Sequence, residues 1–168
     1  MRPVLLLLAA LLTGCTAAAP PVAGLPVPAG AQEATVVRGV DGDTVVLRGR
    51  GSGPLPAEPT KVRILLIDTP EVFEQPECFG EQAAERTAAL LPDGARVRVE
   101  ADRDEQDRFG RTLLHVWNAD GVHVGGELLR GGQDTVLFLR PNDRYLEQLE
   151  ELEEQARVAG RGLWSACR

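Results

Sequence analysis

The stretch "RGVDGDTVVLRG", Arg38 to Gly49, decides how the chain is read. Val36, Val37 and Val40 lie before or at its start, and Val45, Val46 and Leu47 follow the Asp-Gly-Asp. Two apolar runs meeting at Asp-Gly are a hairpin signature, because glycine takes positive φ without steric cost. The same three residues carry two carboxylates, Asp41 and Asp43. The stretch is therefore either a tight turn alone or a turn that also holds a metal ligand.

Working outward, "KVRILLI" (61–67) is a nearly continuous apolar run, as expected of a strand buried in a barrel or sheet. "ARVRVEA" (95–101) alternates as a half-exposed strand does, and "RTLLHVWNADGVHV" (111–124) predicts a hairpin with Asp120-Gly121 at its tip. "EQAAERTAALL" (81–91) is built of helix formers and stops at Pro92. "GGELLRGG" (125–132) predicts a short helix. "NDRYLEQLEELEEQARVAG" (142–160) predicts an amphipathic one, striped by Leu146, Leu149 and Leu152 and capped by Gly160. Residues 49–60, 68–80 and 102–110 are loops. Three strands, a helix, two or three strands and two more helices predict an α+β, mainly β fold: a small Greek-key barrel such as the OB-fold.

The chain has 168 residues, enough for one domain and a leader, and 43% hydrophobic residues to fill a core. Its net charge of −7 excludes nucleic-acid binding through overall charge. A polyanion would need a local basic site or a bound cation.

"MRPVLLLLAALLTGC" has one arginine, an apolar run from Val4 to Leu12, and then Thr13-Gly14-Cys15. The run is shorter than the roughly 20 residues that span a bilayer and suits a signal peptide. Leu12 to Cys15 resembles a bacterial lipobox, which implies cleavage before Cys15 and lipid on its sulfur. The alternative is an ordinary secretory signal cut near the alanines at 17–19. The expected organisation is a signal peptide over 1–14, a lipidated Cys15 with an Ala/Pro/Gly tether to residue 33, and a domain over 34–168. The protein is then exported and anchored on the extracytoplasmic face of the membrane. In that oxidising compartment Cys78 and Cys167 make an even pair, expected as a disulfide with two free buried thiols as the alternative.

Four polar clusters stand at strand ends: Asp41 to Thr44, Arg63, "DTPE" (68–71) and "DRFGR" (107–111). Each has a plain structural explanation by itself: a turn, a snorkelling arginine, a helix cap, an exposed strand residue. Arg63 is the most demanding, since an arginine within an apolar strand is costly to bury unless an anion meets it. A phosphate matches its planar fork.

"VDGDTVVL", "VRILLIDTPE" and "DRFGRTL", in that order and spacing, with "GLW" at 162–164, resemble the thermonuclease (staphylococcal-nuclease-like) family over residues 35 to 165. The resemblance implies a five-stranded OB-fold barrel with three helices and a calcium-dependent phosphodiesterase site acting on DNA and RNA. It implies Asp43 and Asp68 as calcium carboxylates and Thr69 as a carbonyl ligand. Glu71 becomes the carboxylate that activates or orients water, and Arg63 and Arg111 the phosphate-binding arginines. Partners would be the nucleic-acid substrate and, through Cys15, the membrane; a monomer is expected. Four features depart from the family pattern, one being that "VGGELLRGGQD" (124–134) lacks the asparagine usually found after its valine. The charge is acidic, Leu137 and Leu139 stand where stacking tyrosines are common, with Phe138 between them, and Phe109 replaces another tyrosine. These departures leave a second class of function open, a nuclease-like barrel that binds nucleic acid or protein without turnover. "DRDEQDRFG" fails as an EF-hand loop at Gln106 and Asp107, and His115 and His123 lack zinc-ligand company.

Overall fold

Inward-facing apolar residues recur at every second position along five strands, and they build the molecule. The computed structural model describes residues 25–73 and 75–167. Strand β1 (Gln32–Gly39) turns Ala34 and Val36 inward, and β2 (Thr44–Arg48) adds Val45 and Leu47. β3 (Thr60–Ile64) adds Val62 and Ile64, β5 (Arg96–Glu100) adds Val97 and Val99, and β6 (Thr112–Trp117) adds Leu114 and Val116. These strands close in the order β1-β2-β3-β6-β5. All neighbours are antiparallel except β3 and β6, whose parallel ladder pairs Val62 with Thr112, Arg63 with Leu113 and Ile64 with Leu114. This is the expected five-stranded OB-fold barrel.

Helices α1 (Gly80–Leu90), α2 (Val124–Gly131) and α3 (Leu146–Val158) complete the fold, with a single turn α4 (Leu163–Ala166) after them. Leu128 and Leu129 of α2 and Leu149, Leu152 and Ala156 of α3 are buried. β6 is covered on both faces, so its outer side chains His115 and Trp117 are buried too. They pack with His123 and Tyr145 in tilted and edge-on contacts. No helix among the described residues is long and apolar enough to cross a membrane.

Several local expectations give way to packing. "KVRILLI" is not one strand: β3 ends at Ile64, the chain turns through Leu66 at φ 63°, and β4 (Ile67–Asp68) pairs with β7 (Thr135–Val136). The second arm of the 111–124 hairpin shrinks to one bridge, Trp117 to His123, although Gly121 does occupy the tip at φ 77°. The last long helix begins at Leu146 rather than 142. Buried Asn142 is diverted: its Oδ1 accepts from the N–H groups of Arg103 (3.0 Å) and Asp104 (2.8 Å). The domain also starts before residue 34. Leu25 is buried and its carbonyl accepts from Trp117 Nε1 at 2.9 Å, so 25–33 is part of the packed fold and not tether. Residues 1–24, with Cys15 and the expected leader, lie outside the described residues.

Candidate active site

The turn after β1 is folded by Asp41, whose Oδ1 accepts from the N–H groups of Asp43 (3.1 Å) and Thr44 (2.7 Å). That local bond is the Asx turn expected of the residue type. Gly42 serves a different purpose from the one its dipeptide suggests. Its φ lies outside the left-handed region, but a Cβ there would stand 2.5 Å from Thr69 Cγ2. The glycine lets the 69 loop lie directly on the turn, and Thr87 Oγ1 of α1 holds the Gly42 carbonyl from behind at 2.6 Å. With Thr69 that close, its N–H (3.3 Å) and Oγ1 (3.1 Å) both donate to Asp43 Oδ2, while Thr44 Oγ1 donates to Oδ1 at 2.9 Å.

Arg63 ties these pieces together. It is 5% exposed. Nη1 lies 2.8 Å from Asp43 Oδ2 and donates to the Ile67 carbonyl at 2.7 Å, and Nη2 donates to Asp68 Oδ1 at 2.8 Å. The anions this buried arginine demands are thus two carboxylates of the protein itself. The break after Ile64 makes this possible, because it folds Ile67 and Asp68 back over the guanidinium.

Glu71 stands on the loop between β4 and α1 and is exposed. Its backbone is clamped from both sides by Glu77, whose N–H donates to the Glu71 carbonyl (2.8 Å) and whose Oε2 accepts from the Glu71 N–H (3.0 Å). Gly80 allows the closure, since a Cβ there would lie 2.5 Å from the Glu71 carbonyl. Cys78, which follows Glu77, is disulfide-bonded to Cys167 with Cα atoms 5.7 Å apart. On the opposite wall, Asp107 orients Arg111. Its Oδ2 accepts from Arg111 Nε at 2.7 Å, and its Oδ1 accepts from the N–H groups of Phe109 and Arg111, both at 2.9 Å.

Asp43, Arg63, Asp68, Thr69, Glu71 and Arg111 all line one open cleft of about 530 Å³. Every residue expected at the site from its sequence motif, apart from the cysteines, is therefore in one place. Asp41, ambiguous in sequence, is the turn former and also lines the cleft. Asp107, the Glu77 clamp and the cationic wall residues Arg108 and Arg140 were missed. The signal for Asp107 was present, as an aspartate two and four residues before the amides it caps. Leu137 and Leu139 line the cleft and Phe138 does not. Phe138 instead carries Arg140 at 5.4 Å from its ring, and exposed Phe109 carries Arg108 at 4.7 Å.

The cleft is crowded with negative charge. Burial and the adjacent Asp43 hold Asp41 above its ordinary value. Burial lifts Asp68 as well, against the pull of Arg63. Glu71 is raised by partial desolvation and by the carboxylates of Asp41, Asp43, Glu77 and Asp68. Asp107 goes the other way: burial pushes it up, but hydrogen bonds from Arg111 and its own turn bring it below the usual range. Deeper still, Asp134 is fully buried with neither oxygen hydrogen-bonded, and burial holds it well above a normal carboxylate.

The donor set fits a hard divalent cation. The cleft offers carboxylates and backbone oxygens with no sulfur or imidazole, the preference of calcium or magnesium. A cation would also relieve the repulsion that raises Asp41, Asp68 and Glu71. Among the described residues no three His, Cys, Asp or Glu side chains form a ready-made cage. The site is therefore one of few carboxylates, with Asp43, Asp68 and Thr69 as the residues that would hold the ion.

Comparison with known proteins adds an independent line. The family model described as "Staphylococcal nuclease homologue" matches residues 61–166, from within β3 to the end of α4. The thermonuclease of Staphylococcus hyicus is 33% identical over 135 residues, covering 77% of this chain and 74% of that protein. Endonuclease YncB of Bacillus subtilis (strain 168) is 33% identical over 136 residues, 78% of this chain and 61% of its own length. The SPbeta prophage-derived endonuclease YokF of the same organism is 34% identical over 138 residues, with 79% and 44% covered. The chain thus spans under two thirds of each Bacillus protein. A closed barrel of this strand order, a family model matching residues 61–166 and a thermonuclease 33% identical over 135 residues lead to one conclusion: the chain belongs to the staphylococcal nuclease family.

Proposed function

We propose that the protein is a calcium-dependent nuclease that hydrolyses phosphodiester bonds of DNA and RNA. The observation that carries this is the convergence of Asp43, Arg63, Asp68, Thr69, Glu71 and Arg111 on a single cleft. The names of the relatives, thermonuclease and endonuclease, support it.

The roles follow from position. Asp43, Asp68 and the Thr69 carbonyl would hold calcium, which when bound supplies positive charge against a phosphate oxygen. Glu71, raised above an ordinary carboxylate, accepts a proton at its carboxylate from the attacking water. The reciprocal clamp by Glu77 fixes its backbone at the edge of the cleft. Arg111, oriented by Asp107, presents its remaining guanidinium N–H groups to the phosphate as negative charge develops there. Arg63, braced by Asp43 and Asp68, fixes the two carboxylates and adds fixed positive charge beside them.

The test is cleavage of single-stranded DNA with calcium or with a chelator, alongside Glu71→Gln. The expected result is calcium-dependent cleavage, with kcat falling about 10²–10⁴-fold in the variant. A folded protein that cuts nothing at millimolar calcium would refute the proposal. It would favour a binding barrel, the alternative suggested by the net charge of −7 and by leucines lining the cleft. We further propose export and lipid anchoring at Cys15, supported by the leader and lipobox pattern of residues 1–15. A mature N-terminus beyond Cys15, found by mass spectrometry, would refute the anchor.

A further inference from the structure

Six of the chain's 18 Lys and Arg residues, Arg38, Arg48, Lys61, Arg63, Arg96 and Arg98, stand at outward positions of β1, β2, β3 and β5. Directly paired residues of an antiparallel ladder project from the same face of the sheet, about 5 Å apart. One rung sets Arg48 and Arg96 on either side of Thr35. The next sets Arg38 and Lys61 on either side of Val46. Two residues further along β3, about 7 Å beyond Lys61, comes Arg63, paired with Thr44 at the floor of the cleft. Arg38, Arg48, Lys61 and Arg96 are all exposed, and no carboxylate among the described residues forms an ion pair with them. The acids at outward positions of these strands are already paired, Glu33 with Arg50 and Arg98, and Glu100 with Arg144.

We infer that this strip is a binding track for the phosphate backbone of a nucleic-acid strand, extending the substrate site beyond the scissile phosphate. The inference rests on the nuclease proposal for its link to turnover. Three observations select the ligand. The strip is a row of unpaired cations, which suits a row of phosphates. It runs into the cleft through Lys61 and Arg63, so one strand can lie on both. It also has nothing to insert into a bilayer: the exposed large apolar residues, such as Phe73, Phe109, Phe138 and Val158, all lie off these four strands. The track answers the difficulty posed by a net charge of −7, because local cations attract the strand where overall charge would repel it.

The test is fluorescence anisotropy with a labelled 20-nucleotide strand in chelator, so that binding is read without cleavage. Arg38→Gln, Arg48→Gln and Arg96→Gln are combined in one variant. A control triple, Arg103→Gln, Arg157→Gln and Arg161→Gln, makes the same net-charge change away from the strip. A third variant replaces the three strip arginines with lysine. Each lost phosphate contact lowers the slope of log K against log salt by about 0.7 for single strands. The strip variant should therefore lose about 2 from that slope and bind about 100-fold more weakly at 0.1 M salt. The control should change little and the lysine variant should retain binding. Equal losses in the strip and control triples would overturn the track, as would an unchanged slope. So would binding lost only to anionic vesicles and not to the strand, which would make the face a membrane surface. With calcium restored, KM for long strands should rise in the strip variant. A protein that binds through the strip but never cleaves would defeat the nuclease proposal and leave the track standing.

Discussion

Acidification from pH 7 to pH 4.5 should cost this protein about 2–3 kcal/mol at His115. His115 is 0% exposed on the outer face of β6, edge-on to Tyr145 at 4.9 Å. Its neighbour His123 accepts the Gly126 N–H at Nδ1 (2.9 Å), so the proton of that neutral ring is on Nε2, 3.3 Å from His115 Nδ1. Both rings are held neutral. Burial, then the nearby charge of Arg144, pulls His115 from 6.5 down to about 3. A histidine lowered by folding contributes its full stability above 6.5 and loses it as pH falls from there toward the folded value. A pH of 4.5 lies two units below the 6.5 of the unfolded imidazole, and each unit is about 1.36 kcal/mol, giving about 2–3 kcal/mol against almost nothing at pH 7. Since pH 4.5 is still above the folded value, the unfolded state sets the number. The assay is urea unfolding at both pH values for the protein and for His115→Gln, which keeps an acceptor for His123. Asp41, Asp68, Glu71 and Asp134 act in the opposite sense and cancel in the comparison. The expected result is that the unsubstituted protein loses about 2–3 kcal/mol more than the variant, a large share of a typical domain's stability. Parallel losses would refute a buried neutral His115.

Gly42→Ala should displace Thr69 and release Asp43, costing about 1–3 kcal/mol of stability and most of the calcium-induced rise in Tm; a normal calcium response in the variant would count against this geometry. Reduction of Cys78–Cys167, which closes 89 residues of sequence, should lower stability by about 4–5 kcal/mol at most and speed amide exchange at Glu71 and Glu77, measurable by mass spectrometry after brief labelling. Asp134→Asn should stabilise the protein. A carboxyl raised by folding loses ground as pH climbs from 3.8 through its folded value, so the gain in Tm should be larger at pH 8 than at pH 5; an equal gain at both would show that Asp134 is not the titrating group.

The barrel was legible because each strand carries its inward residues two apart, as Val45 with Leu47 and Val97 with Val99 do. The cleft was legible because three short motifs hold its side chains at strand ends. What stayed hidden was decided by contacts between distant segments. An unbroken apolar run conceals the turn at Leu66, since a leucine at positive φ leaves no mark in sequence. Proline- and alanine-rich neighbours conceal that Leu25 seats beneath Trp117. Asn142 looks like the start of a helix and is instead the peg for residues 103 and 104. Gly42 was recognised as essential to the turn, but for its backbone freedom and not for its nearness to Thr69.

The parallel seam between β3 and β6 has a consequence for when the protein becomes competent. It consists of three pairs, and Arg63 is the middle one. The residues it joins are about 50 positions apart, and no tight turn helps them meet, so such pairings form late, after loop-closure entropy has been overcome. Arg63 on one side of the seam carries Asp43 and Asp68, while Arg111 leads into the other. An open barrel accordingly holds the two halves of the cleft apart. A chain still folding, or one part-way through unfolding, therefore has no assembled cleft.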